Sequence, residues 1–245
     1  MFPQTHIYFA EWITGTKADQ VTLGSMLPDM LVGGFFDHRG AHTMGQEVFE
    51  FLKKHNTLLI FGHALLTHGF VPEGLDYYGD EKYLDYERGY CFEKAKPFIM
   101  DTVEACNIPV KMGWWKAHNI VEMGVELLVS ARDYYSDRII SAFTNRALIA
   151  ELDELFANIW PGNTINFAHR VERFVDFFEH DKADAQSLAA KYNYQMLLKH
   201  KIEIDTKKVA RLIDKAAESI SDEVDDFFTT AGEMVKNNIA SLDHK

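Results

Sequence analysis

The sequence predicts an all-α fold, built as a multi-helix single domain over residues 1–245. Only 15 residues are glycine and 6 are proline, which is low for an all-β chain full of tight turns. Hydrophobic residues make up 47 % of the chain, enough for a sizeable core, and no Gly/Ser/Pro-rich linker interrupts it. Apolar residues recur at helical spacing through most segments. We expect residues 1–130 to hold a metal-cluster site between helices and residues 131–245 to form a helical scaffold.

Two helices are predicted in the first 70 residues. One runs from Thr5, its predicted N-cap, to Thr14. The other covers residues 46–68, with a break near His55 and with Gly69 as its C-terminal stop.

Residues 23–42, between these helices, combine helix breakers with metal-binding side chains. Pro28 places Asp29 where a helix gives way to a loop, and His42 is predicted where the next helix begins. Asp29, His38 and His42 supply oxygen and nitrogen donors of the kind that zinc binds. A polar loop without a metal is the alternative.

Histidines are concentrated in the first half of the chain, where seven of the eleven lie. His63 and His68 fall in an apolar run, and burying an imidazole there costs free energy unless it has a partner. His118 and Glu122 are spaced i, i+4 on a predicted helix over residues 113–130, within reach of one ion. Hydrogen-bonded core histidines and an ordinary His–Glu contact are the alternatives.

Residues 71–97 are acidic and rich in tyrosine, and Asp76 lies among them. We expect either a lid over a site or a solvated amphipathic helix with its tyrosines on the core side. The rest of the chain lacks site-like motifs and is typical of amphipathic helices. These are predicted over residues 132–159, 164–181, 183–201 and 206–242.

Charge and composition exclude several functions. A net charge of −12 argues against binding a nucleic-acid duplex or an anionic membrane surface. Cys91 and Cys106 match neither a zinc knuckle nor a secreted disulfide framework. No apolar run reaches membrane-spanning length, and residues 1–6 lack the pattern of a signal peptide. We therefore expect a cytoplasmic protein without stable membrane insertion.

The order of the candidate ligands resembles that of the zinc-dependent phospholipase C family and its relatives, the zinc-dependent single-strand nucleases. The similarity lies in His6, Leu-Gly-Ser-Met-Leu-Pro-Asp29, His42, His63 and His118-x-x-x-Glu122. The segment His38-Arg-Gly-Ala-His42 also looks like the His-Arg-Gly-x-Thr-His stretch of related bacterial metal-dependent hydrolases. The resemblance covers about the first half of the chain. Members of the family are all-α proteins that hold a cluster of zinc ions.

The resemblance implies three sets of metal ligands, with zinc as the expected metal at two or three ions per chain and manganese or iron as alternatives. The sets are Asp29, His42 and His63 for one ion, His118 and Glu122 for a second, and His6 for a third.

The match to the family is interrupted at two positions. The family's bridging aspartate and its next histidine would fall on Thr67 and Glu73. By the same resemblance, His68, Glu73 or Asp76 would take over as a ligand.

The activity implied is metal-dependent hydrolysis of phosphoesters by a phosphodiesterase or a phospholipase C-like enzyme. Paired divalent ions lower the pKa of a shared water, and the resulting hydroxide attacks phosphorus. Asp29 would orient this nucleophile, and Arg39 would clamp a non-bridging oxygen, although a salt bridge with Asp37 is the alternative use of that arginine. The expected partner is a small phosphoester, and the C-terminal helices are a candidate interface for a homo-oligomer.

Three other classes compete with this interpretation. A degenerate, non-catalytic family member would act as a helical partner-binding protein. An HD-type phosphohydrolase needs a His-Asp dipeptide, which occurs only as His180-Asp181, in the half without other ligands. A di-iron carboxylate bundle needs Glu-x-x-His, which the sequence lacks.

Overall fold

The computed structural model of the chain describes residues 1–33, 35–162, 165–175 and 182–244, except for the side chain of Val175. Within these ranges it contains fourteen α-helices and no β-strand, which confirms the all-α prediction. The helices are α1 (Pro3–Thr14), α2 (Asp19–Leu31), α3 (His38–Thr43), α4 (Gly45–His55), α5 (Leu59–Leu66), α6 (Tyr90–Ala95), α7 (Ile99–Ala105), α8 (Gly113–Ser130), α9 (Ser136–Thr144), α10 (Arg146–Ile159), α11 (Phe167–Val175), α12 (Ala185–His200), α13 (Thr206–Ile220) and α14 (Val224–Asp243). His180-Asp181 and the end of the helix predicted over 164–181 lie outside the described residues.

The chain forms two compact units, each assembled from separate segments. We call the first the α2 unit; it comprises the described residues of His6–Asp76, Tyr135–Phe178 and Thr230–Lys245. The second, the α8 unit, comprises those of Met1–Thr5, Tyr77–Tyr134 and Glu179–Thr229. Both units draw on segments from either side of residue 130. The prediction of a single domain with halves meeting at that residue stays a prediction.

In the α2 unit, helices α2 and α5 approach each other closely at Gly24. A Cβ added there would lie 2.4 Å from the Phe61 carbonyl oxygen, so only glycine fits this crossing. Val21 on α2 and Ala64 on α5 are fully buried beside it. Because Gly24 and Ala64 are small, the α2 backbone lies next to the chain that follows α5, where His68 lies.

In the α8 unit, Glu126 binds the first turn of α1. Its carboxylate accepts hydrogen bonds from the backbone N–H groups of Gln4 and Thr5, at 2.9 and 2.8 Å, and from the Thr5 hydroxyl at 2.7 Å. A helix leaves its first N–H groups without intrahelical partners, and a buried carboxylate satisfies two of them here. Thr5 therefore lies inside the helix that begins at Pro3, and its predicted role as N-cap is wrong.

Several predicted helices are shorter than the sequence pattern indicates. The segment 46–68 breaks after His55, as predicted, because Asn56 and Leu58 adopt left-handed conformations with φ of 49° and 47°. The single helices predicted over 132–159 and 206–242 are each two helices. By contrast, α8 has the predicted bounds.

The acidic segment after Asp76 contains a π-helical turn at Tyr77–Glu81 rather than one long helix. Tyr78, Tyr83 and Tyr90 are buried, in line with tyrosines on the core side. No helix in the described part of the chain is long and apolar enough to cross a membrane.

Candidate metal centre

The carboxylate of Asp76 lies among three histidines in the α2 unit. Its Oδ1 atom is 3.3 Å from His6 Nε2, and its Oδ2 atom is 3.2 Å from His68 Nε2 and 3.3 Å from His42 Nε2. Asp29 Oδ1 lies 3.5 Å from His42 Nε2. We call these five residues the Asp76 cluster. All five were candidate ligands in the sequence.

Helix ends place the members of this cluster. Asp29 lies in the last turn of α2, as predicted. His42 lies in the last turn of α3 rather than at its start, because the Asp37 side chain caps that helix by accepting from Gly40 N. His68 follows α5, and the His68 N–H still bonds back to the Leu65 carbonyl.

Backbone carbonyls orient two of the imidazoles. His42 Nδ1 lies 2.8 Å from the His38 carbonyl oxygen, and His68 Nδ1 bonds the Ser25 carbonyl oxygen. A carbonyl only accepts, so Nδ1 carries the proton when either ring is neutral, and the lone pair of Nε2 then faces the cluster. Hydrogen bonds of this kind fix the tautomer and orientation of metal-binding histidines. The Ser25 bond depends on the close crossing at Gly24.

The distances in the cluster fit a shared ion better than hydrogen bonds. Ligands about 2.1 Å from a tetrahedral zinc ion lie about 3.4 Å from one another, and the four N···O contacts measure 3.2–3.5 Å. N–H···O bonds are usually nearer 2.9 Å. His6 Nε2 and His68 Nε2 are buried without a hydrogen-bond partner, which costs about 1–3 kcal/mol for each group. The donor set therefore fits a metal ion.

Burial and charge divide the protonation states within the cluster. Burial lowers the pKa of His6 to about 4, so this imidazole is neutral at pH 7. Burial also acts to lower the pKa of His42, but the Asp29 and Asp76 carboxylates outweigh it and raise that pKa to about 10. Burial acts to raise the pKa values of both carboxyls, but nearby positive charges, the imidazoles among them, outweigh it and hold both pKa values well below the ordinary range. Without a metal, His42 is therefore protonated at neutral pH, whereas His6 is neutral.

The residues of the Asp76 cluster differ in their exposure to solvent. His6, His42, His68 and Asp76 are buried. The Asp29 side chain is 31 % exposed. The Asp76 cluster therefore meets solvent at Asp29.

A second group, Asp80, His118 and Glu122, lies in the α8 unit. One ligand atom from each residue lies within 4.8 Å of the others. The Asn119 amide donates to Glu122 Oε2 and lies 3.1 Å from His118 Nε2. Burial lowers the pKa of His118 to about 4, which keeps its ring neutral and able to bind a metal.

Asp80 was not among the predicted ligands. It lies in the π-helical turn Tyr77–Glu81, far in sequence from α8, and no spacing rule links it to His118. Gly89 N donates to the Asp80 carbonyl at 3.2 Å, and a Cβ at Gly89 would lie 2.2 Å from Asp80 N. This close backbone approach fixes the turn that presents Asp80.

Two predicted site residues lie apart from both groups. His63 Nε2 is 3.1 Å from Asp243 Oδ1, and His63 belongs to none of the ligand groups that the described residues form. Arg39 is exposed on α3. His68, rather than His63, completes the set that contains Asp29 and His42.

Thr67 and Glu73, the two positions where the sequence departs from the family pattern, make hydrogen bonds elsewhere. The Thr67 hydroxyl donates to the Ala64 carbonyl at 2.7 Å, and the carbonyl and side chain of Glu73 accept from Asn238. Of the three substitutes that the sequence left open, His68 and Asp76 enter the Asp76 cluster and Glu73 does not.

Comparison of the chain with protein-family models, with curated proteins and with solved structures gives no match. The described residues define an all-α protein with buried His and carboxylate groups that can hold metal ions.

Proposed function

We propose that this chain is a metal-dependent hydrolase of phosphoesters, acting on a phosphodiester as a phospholipase C-like enzyme does. The observation that carries the proposal is the shared carboxylate of Asp76. One of its oxygens faces His6, and the other faces His42 and His68. A carboxylate with a histidine beside each oxygen would help to hold two ions, and paired ions would supply the chemistry of phosphoryl transfer.

The cluster offers two overlapping sets of ligands that share His68, with zinc as the proposed metal. One set is Asp29, His42 and His68, and the other is His6, His68 and Asp76; the ligand atoms of each set lie within 4.8 Å of one another. Both sets combine nitrogen and oxygen donors of the kind that zinc binds. Asp80, His118 and Glu122 in the α8 unit would hold a further ion.

Bound divalent ions lower the pKa of water and stabilise negative charge on phosphoryl oxygens. The residues of the chain then have separate roles. Asp29 meets solvent, so its carboxylate accepts a hydrogen bond from the attacking water and orients it. The buried imidazoles hold the cluster in place and exclude water from its inner side. Arg39, exposed on the helix that carries His42, is proposed to bind a non-bridging oxygen.

The test uses protein purified without an affinity tag. After dialysis against zinc or manganese, we expect two to three ions per chain by elemental analysis and chelator-sensitive hydrolysis of bis-p-nitrophenyl phosphate, with p-nitrophenyl phosphate as the monoester comparison. Asp76→Asn should lose both metal and hydrolysis. Asp243→Asn, which disrupts an Asp–His pair outside the cluster, is the matched control and should retain both.

Two results would contradict the proposal. Zinc-loaded protein that hydrolyses neither ester faster than Asp76→Asn is not a phosphoesterase. Protein that takes up no metal lacks the centre altogether, and the non-catalytic, partner-binding alternative then gains support.

A further inference from the structure

His38 lies against the Asp76 cluster although it is not a member of it. Its ring stacks on that of His42, with centroids 4.1 Å apart and planes inclined by 16°. Unlike His42, it is exposed. It is also the residue whose carbonyl oxygen orients His42. An exposed imidazole therefore covers one face of a proposed buried ligand, in the same unit as the solvent-facing carboxylate of Asp29.

Hydrogen bonds hold described residues that precede His38. Gly33 N donates to the Phe36 carbonyl at 3.1 Å. Arg170 Nη1 donates to the carbonyls of Met30 and Val32, at 3.3 Å each, where α2 ends. With the Asp37 cap on α3, these bonds position the start of the helix that carries His38.

We propose that His38 is a catalytic residue that touches the substrate, donating a ring N–H to a non-bridging oxygen of its phosphoryl group. The inference rests on the proposed function and adds a substrate contact to it. An imidazole has at least one N–H in either protonation state, so the contact requires no particular charge on His38. A phosphoryl group that enters at Asp29 is an anion, and a fixed N–H donor beside the buried ligands stabilises it. Arg39 is the next residue, but among the described residues its side chain makes no ring contact of this kind with the cluster.

Two variants separate donation from stacking. His38→Phe keeps a flat ring against His42 but has no donor, whereas His38→Gln keeps a donor but has no ring. His55 is the matched control, because it is exposed on α4 of the same unit and its ring contacts that of Phe51, also four residues away, with centroids 4.4 Å apart. His55→Phe and His55→Gln should behave as the parent chain does.

The experiment measures zinc content, kcat and KM for bis-p-nitrophenyl phosphate, and calorimetric binding of inorganic phosphate to the zinc-loaded protein. We expect His38→Phe to keep its zinc, to lose about tenfold to a hundredfold in kcat/KM, and to bind phosphate about tenfold more weakly, as removal of a hydrogen bond to a charged group predicts. His38→Gln should recover part of both losses.

Each other outcome overturns the inference in a distinct way. If the parent chain is active and His38→Phe matches it in kcat/KM and in phosphate affinity, His38 makes no substrate contact, and the proposed function stands. If both variants lose zinc, His38 acts only by supporting His42. If the zinc-loaded parent neither hydrolyses the ester nor binds phosphate, the proposed function fails and the role of His38 fails with it.

Discussion

Metal binding at the Asp76 cluster should release a proton, because the carboxylates that surround His42 also stabilise its protonated form. The pKa of His42 is raised to about 10, with the Asp29 and Asp76 carboxylates outweighing burial. A metal binds only the neutral ring, so binding at pH 7 must remove a proton. Three pH units correspond to about 4 kcal/mol of lost binding free energy.

The expected result is a zinc affinity that rises about tenfold for each pH unit between 6.5 and 8.5, with about one proton released per ion bound at this site. Calorimetry in buffers of different ionisation enthalpy measures the released protons. His118→Ala in the second group is a suitable background, since it leaves the Asp76 cluster intact. His6 should add no proton, because its pKa of about 4 leaves it neutral.

An affinity that stays constant over this pH range, or binding without proton release, would contradict the proposed deprotonation of His42. Such a result would show that His42 is neutral in the metal-free protein or does not bind the ion.

The raised pKa of His42 also makes the stability of the metal-free chain depend on pH. A raised pKa contributes stability that is complete below about pH 6.5 and is lost as the pH rises through about 10, so the midpoint of urea unfolding should fall over that range.

Three further predictions concern acid stability, packing and the second group. Burial holds the pKa of His6 at about 4, below its unfolded value of 6.5, so the unfolded chain binds more protons than the folded chain between pH 4 and 6.5. The urea midpoint of the chelated protein should therefore fall as the pH drops through this window. The fall should be smaller in His6→Gln. Gly24→Ala places a Cβ 2.4 Å from a backbone carbonyl of α5 and should cost about 1–3 kcal/mol of unfolding free energy by urea titration, whereas Gly45→Ala meets nothing nearer than 3.4 Å and should cost less. His118→Ala should lower zinc content and melting temperature together, and excess zinc should recover part of the melting temperature; the exposed His169→Ala should change neither.

Local patterns in the sequence predicted many of the helices and indicated some of the candidate ligands. The bounds of α8 and the spacing of His118 and Glu122 follow from helical periodicity, since residues four apart share a face. The break after His55 also follows from a local signal. The sequence pattern did not predict that residues 206–242 form two helices, because apolar periodicity continues through the turn between them.

The contacts that assemble the centre depend on tertiary structure, which spacing cannot supply. His63 matched the family order better than His68, yet the crossing at Gly24 brings His68 to Ser25 while His63 meets Asp243. Asp80 comes from a turn whose position depends on backbone packing. The first turn of α1 is bound by Glu126, more than 100 residues away in sequence, and no local rule points to it.

Anomalous diffraction at the zinc edge from crystals of the zinc-loaded chain tests most directly whether the Asp76 cluster holds metal ions. We expect two peaks on either side of the Asp76 carboxylate. One should lie about 2.0–2.2 Å from donor atoms of Asp29, His42 and His68, and the other within the same distance of His6. Zinc found only at surface sites such as His63 and Asp243, or a single peak that Asp76 does not touch, would contradict it.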